Sequence, residues 1–198
     1  MLRRLPLWPA LAALTSGLGL GFAQPDWGLW PLAFVALAPL AWAVRDQPLS
    51  RRLWLGWCVG TVATLLTPWV PGATGFSRYF ELSPIVGGMA ALGVAQTFGA
   101  ASTAIAAGVC GRVRHPASFV VRFGLAWGAA EWLRGIALTG LPWMLLAHGL
   151  APVPALAAPA RAIGAVGLSA LLAAASAALA VSISSARAGN LHRGAAFG

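Results

Sequence analysis

The chain has 198 residues, 59% hydrophobic and 9% charged, with a mean hydropathy of +0.79 and a formal net charge of +9 carried by arginine without any lysine. This apolar excess excludes an ordinary soluble domain. The arginines fall in short clusters between apolar runs, as topology signals do, which excludes a nucleic-acid-binding surface. Cys58 and Cys110 lie inside apolar runs with no ligand-type neighbour at metal spacing, so no metal, no cofactor and no disulfide framework is expected.

Arg3 and Arg4 precede an apolar run over residues 5–23 that ends at Gln24, Pro25 and Asp26. Its small terminal residues look like a signal-peptide cut. A short turn at 24–28 nevertheless leads straight into a second run at 27–44, so the pair reads as an uncleaved helical hairpin with Trp27 and Trp30 at the interface. Arg45, Asp46, Arg51 and Arg52 form the next loop. The third run, 53–70, carries Gly56 and Gly60 in the small-xxx-small spacing of a helix-packing face. Trp69 and Pro71 end it, and Arg78, Tyr79, Phe80 and Glu81 follow as an interfacial mix that either anchors the loop or touches a lipid headgroup.

Residues 85–110 form the longest apolar run, long enough to span with tilt. Arg112, Arg114 and His115 close it, and Pro116 restarts the chain. The run 123–130 spans only if Arg122 snorkels at one end and Glu131 and Arg134 sit near the other. Residues 141–160 stay apolar but contain Pro142, Pro152, Pro154 and Pro159, which fits a re-entrant or interfacial segment better than a spanning helix. His148 within it reads as an interface residue or as one facing a ligand. A last helix at 162–185 leads into a polar tail at 186–198.

The expected fold is therefore all-α, a polytopic transmembrane helical bundle of about six spans plus the Pro-rich segment. With the N-terminus cytoplasmic, Arg3, Arg4, Arg45, Arg51, Arg52, Arg112, Arg114, Arg122, Arg187 and Arg193 fall on the cytoplasmic side. Only Arg78, Arg134 and Arg161 fall outside. A seventh span at 141–160 would move the basic tail to the outer face and spoil this positive-inside bias.

The stretch Ala130 to Trp143 concentrates the chemistry: Glu131 and Arg134, three apart, share a helix face. Gly140 and Pro142 form the structural turn beyond it. Ionisable groups at membrane depth are costly and mark candidate sites. Two readings stand on spacing alone. In one, the pair merely neutralises itself beside belt tryptophans Trp132 and Trp143. In the other, it holds a polar cavity open, where the arginine binds a phosphate headgroup bidentately.

Glu131-Trp132-Leu133-Arg134-Gly135, followed by Leu138-Thr139-Gly140-Leu141-Pro142-Trp143, resembles the E-[WF]-L-R-G…L-T-G-F-P-W signature of bacterial apolipoprotein N-acyltransferases. Residues 21–40 are similar to that family's first hairpin, Thr67-Pro68-Trp69-Val70 to the Trp-Val after its third span, and 156–169, ending Gly164-Ala165-Val166-Gly167-Leu168-Ser169, to its L-A-P…G-V-Y-G-L-S segment. The chain departs from the pattern at Leu141 (usually Phe), at Ala147-His148 (commonly Gly-Tyr) and in the spacing of Pro159 from Gly164.

The resemblance implies a bacterial inner-membrane, multi-pass protein of lipoprotein maturation that meets phospholipid and lipoprotein acyl chains. Its lipid- or substrate-binding candidates are Glu131, Arg134, Trp143, Trp132 and Trp69. The family's acyl transfer is carried by a Glu-Lys-Cys triad in a periplasmic nitrilase-like domain, whose cysteine takes an acyl chain from phospholipid and passes it to a diacylglyceryl-cysteine amino terminus. Without lysine, and with both cysteines in apolar runs, residues 1–198 hold no such triad and no catalytic residue is assigned. Residues 1–185 are thus expected to be the transmembrane domain alone, of a truncated or split form whose nitrilase-like domain is a separate partner. The alternative is a non-enzymatic lipid-binding or scaffold membrane protein of the same fold. A transporter has weaker support, with no paired repeat or charge relay within the spans.

Overall fold

The computed structural model describes residues 7–66, 77–111, 113, 115–137 and 143–196, with side chains described as far as residue 186. The Thr67–Val70 motif with Trp69, and the turn residues Gly140 and Pro142, lie outside the described residues. The described chain is helical, without a strand.

Helix α1 spans Leu7–Phe22. Two 3-10 turns follow at Pro25–Trp27 and Trp30–Phe34, the first closed by Gly28 at φ +68°, and then α2 at Ala38–Val44. The second apolar run is therefore broken rather than one helix. Pro31 and Pro39 explain the break, because each lacks an N–H and crowds the carbonyl four residues back. The freed backbone groups find partners on other helices: Leu40 N–H donates to Ser16 Oγ at 2.9 Å, and Ser176 Oγ donates to Phe34 O at 2.7 Å. Irregular backbone in an apolar bundle persists only when satisfied in this way.

Helix α3 covers Leu49–Leu65, beginning before Arg51 and Arg52 rather than after them. Helix α4 is Pro84–Val109 and α5 is Pro116–Ile136. Both start on a proline, which fits the first turn because its missing N–H would be unpaired there anyway. The next segment turns through a 3-10 helix at Leu146–Leu150 and the one-turn α6 at Pro154–Ala157, a broken path as its prolines predict. Helix α7 runs Ala160–Ala196 with a kink at Gly164, whose φ of +73° and ψ of 165° suit only glycine.

Small residues set the packing. Gly17 and Gly21 of α1 meet Val62 and Leu66 of α3, so these helices run parallel. Gly56 and Gly60 of α3 meet Ala107 and Ala100 of α4, and Gly124 and Gly128 of α5 meet Ala174 and Ala170 of α7, both antiparallel. Thr103 Oγ1 also donates across the α3–α4 contact to Gly56 O at 2.7 Å. Between these seams lies a core that includes Leu37, Leu40, Leu55, Phe119, Phe123 and Leu146. Two helices, Pro84–Val109 and Ala160–Ala186, are long and apolar enough to cross a membrane.

Candidate functional site

Trp127, Glu131 and Arg134 follow one another on α5 at helical spacings of four and three and share its inward face, at 3%, 4% and 7% exposure. Glu131 Oε1 accepts from Trp127 Nε1 and from the Leu146 N–H, each at 2.9 Å. The second bond matters because Leu146 opens the 3-10 helix, whose first amides have no partner within it. The next amide, Ala147 N–H, donates to Ser169 Oγ of α7 at 2.9 Å, and the Ser169 hydroxyl faces the Glu131 carboxyl. Glu131 and Ser169 thus cap the irregular segment from two different helices.

Arg134 reaches the other way. Its Nη1 donates to Ser102 Oγ of α4 at 3.3 Å and its Nη2 to Met144 O at 3.4 Å. Met144 holds a left-handed φ of +58°, a conformation that costs about 1–2 kcal/mol for a residue with a Cβ. The arginine helps to hold that corner in place. Glu131 and Arg134 share a face, as their spacing predicts, but bond to different partners. Both terminal nitrogens of the guanidinium are engaged within the protein, so the bidentate fork is not open in this structure. Glu131 Oε2 and Arg134 Nε are buried without a hydrogen-bond partner among the described residues. Both residues border a void of about 10 Å³ beside Trp127 and Met144, close to the room that one water needs.

Arg134 and Ser102 also line a second space, an apolar groove of about 210 Å³ between α4 and α5, walled by Thr97, Phe98, Ile105 and Leu133. Burial, and then the charge of Arg134, hold the His148 imidazole below its ordinary range, so it is neutral near pH 7. Among the described residues no three His, Cys, Asp or Glu side chains cluster as a metal site would require. Cys110 is buried just past the C-terminal end of α4, its thiol donating to Ala106 O at 2.9 Å. The chemistry available around Arg134 is therefore charge, hydrogen bonding and an apolar wall.

Of the residues singled out in the sequence, the structure brings together Glu131 and Arg134. Trp132 and Trp143 are 57% and 51% exposed and face outward, away from the buried pair. Trp127, Ser102 and Ser169 are the partners that spacing did not single out. A helical i, i+4 search from Glu131 finds Trp127. Ser102 stands in an Ala-rich run and carries no local signal, whereas Ser169 closes the Gly164–Ser169 motif.

The sequence matches the family profile of the apolipoprotein N-acyltransferase N-terminal domain over residues 16–178. It is 31% identical over 161 residues to the apolipoprotein N-acyltransferase of Azotobacter vinelandii, covering 75% of this chain and 31% of that protein. With the Caulobacter vibrioides enzyme of the same name it shares 36% over 146 residues, covering 69% of this chain and 26% of the relative. With that of Bordetella bronchiseptica it shares 31% over 198 residues, covering 88% and 35%. The chain thus spans about a third of the length of the curated relatives it matches. A profile match over most of its length, joined to these identities, means that the chain belongs to the apolipoprotein N-acyltransferase family by way of its N-terminal domain.

Proposed function

We propose that this chain is the membrane-embedded, lipid-gathering part of an apolipoprotein N-acyltransferase. In this reading it crosses the bacterial inner membrane about six times with a cytoplasmic N-terminus. It collects phospholipid and lipoprotein acyl chains in the outer leaflet for a nitrilase-like catalytic domain, on the same chain or a separate one. Residues 1–185 make up the membrane domain and 186–198 a cytoplasmic tail. The observation that carries the reading is the apolar groove between α4 and α5, which has the buried Arg134 and Ser102 in its wall. An apolar slot with a polar group in its wall suits a phospholipid, its chain along the slot and its head on the side of the cation.

Two further features support it. Leu7, Ile85, Met89, Val121, Leu125 and Leu171 are each more than half exposed, and outward apolar surface on this scale calls for a lipid or protein partner, which supports the membrane reading. The parallel α1–α3 pair and the antiparallel α3–α4 and α5–α7 pairs are the directions that successive spans would take, which supports the reading. The site's role is to position substrate rather than to react with it, because these residues offer no lysine and no thiol beside a base.

The test is an acylation assay in cells that depend on this chain together with its catalytic domain. Arg134→Ala should lower N-acylation of a reporter lipoprotein, read by mass spectrometry, by about tenfold or more if positioning is lost. Ala101→Trp, which fills the groove without touching the polar cluster, should do the same while the protein stays in the membrane at normal abundance. Unchanged acylation in both variants contradicts the proposed role.

A further inference from the structure

The end of the bundle where α4 runs into α5 carries a second set of features that the lipid-gathering role does not use. Arg52, in the first turn of α3, is only 9% exposed, yet its Nε and Nη1 are buried without a hydrogen-bond partner among the described residues. Such a guanidinium is a costly group to leave unsatisfied and indicates an anion that completes it. Its Nη1 lies 3.1 Å from where a Cβ would stand on Gly111, just past the end of α4, so it reaches into this junction. Arg122 of α5 is exposed, and both it and Arg52 act electrostatically on Cys110 between them. Arg45 adds a third cation, its guanidinium 5.7 Å from the centre of the Phe119 ring. Against these arginines, Asp46 is the acidic residue in the segments that meet here.

A largely apolar groove of about 640 Å³ runs along α5 past Arg122, lined by Val109, Ala117, Ser118, Val121, Leu125 and Ala129. From Arg122 to Ala129 the helix rises about 10 Å, room for the upper part of an acyl chain within the roughly 15 Å depth of one leaflet of a hydrocarbon core. We propose that this junction binds one anionic phospholipid, its phosphate between Arg52 and Arg122 and an acyl chain in the groove along α5. Charge complementarity selects the anionic headgroup, and the apolar groove beside it selects a lipid over a free anion. Arg122 and Arg134 are twelve residues apart on α5, so the two headgroup positions stand about 18 Å apart. It would hold the protein to its membrane rather than supply the acyl chain.

The proposal rests on the membrane reading, and the experiment separates the two. The full chain is reconstituted into phosphatidylcholine vesicles with and without phosphatidylglycerol, extracted gently, and its retained lipids are counted by native mass spectrometry. Preferential retention of one phosphatidylglycerol by about fivefold per engaged arginine is expected. Arg122→Gln, at an exposed position, should abolish most of that preference, and Arg52→Gln the rest if the protein folds. Arg161→Gln, an exposed arginine at the start of α7, should leave it intact. Equal retention of both lipids, an unchanged preference in Arg122→Gln, displacement of the lipid by millimolar inorganic phosphate, or a lipid-free dimer formed through the groove would each overturn the proposal while leaving the membrane reading standing. Failure of the chain to enter vesicles at all would overturn both.

Discussion

Gly60→Leu is expected to force α3 and α4 apart and to lower the stability of the bundle by about 3 kcal/mol. A Cβ on Gly60 would lie 2.6 Å from the Ala100 Cα and 2.7 Å from the Gly99 O, both backbone atoms that cannot swing aside. The contact also involves Thr103, whose hydroxyl donates to Gly56 O at 2.7 Å across the same seam. Separation would therefore lose an interhelical hydrogen bond as well as close packing. In lipid, apolar side chains gain little by leaving their surroundings, and close backbone approach is what holds two helices together. Gly60→Ala should show the same effect in weaker form. Thermal unfolding in mild detergent measures the series, and equal midpoints for wild type, Ala and Leu would rule out this seam as a stabilising contact.

Glu131→Ala is the second large effect. It removes the acceptor of two buried donors, Trp127 Nε1 and Leu146 N–H, and leaves the Arg134 guanidinium facing an apolar interior without the neighbouring carboxyl. Truncating one member of a buried charged cluster costs about 3–5 kcal/mol, and hydrogen bonds in membrane proteins sit at the low end of their range, so a loss of about 3 kcal/mol is expected. Glu131→Gln keeps the Oε1 that accepts from both donors and should retain more than half of the stability. Limited proteolysis adds a local readout, since the segment around Leu146 should become cleavable in Glu131→Ala while α3 and α4 stay protected. A variant as stable and as protease-resistant as wild type would remove the capping role.

The helices with uniform apolar composition were legible in the sequence. The run 85–110 matches α4 within a residue at each end, and 5–23 matches α1 within two. The second run misled because its overall hydrophobicity outweighed Pro31 and Pro39, which place the break that Ser16 and Ser176 repair. Those repairs join residues 24 and 142 positions apart, and no local pattern announces them. The same limit explains the site. Glu131 and Arg134 stood out because charge is rare in an apolar chain. That their bonds go to Leu146, Met144 and Ser102 depends on how α4, α5 and the Pro-rich segment pack, which spacing does not encode. Pro116, where the sequence restarts the chain, opens α5, and Pro84 opens α4 in the same way.

The central claim is that an acyl chain occupies the groove between α4 and α5 beside Arg134. It is tested most directly by reconstituting the chain with a phospholipid that carries a photoreactive group near the end of one acyl chain, irradiating, and mapping the labelled residues by mass spectrometry. The account predicts labelling concentrated on Thr97, Phe98, Ala101, Ile105 and Leu133, the residues that wall the groove, and lost in Ala101→Trp. Labels spread evenly over the outward apolar faces of α1, α4 and α7, with the groove residues no richer than the rest and Ala101→Trp without effect, would contradict it.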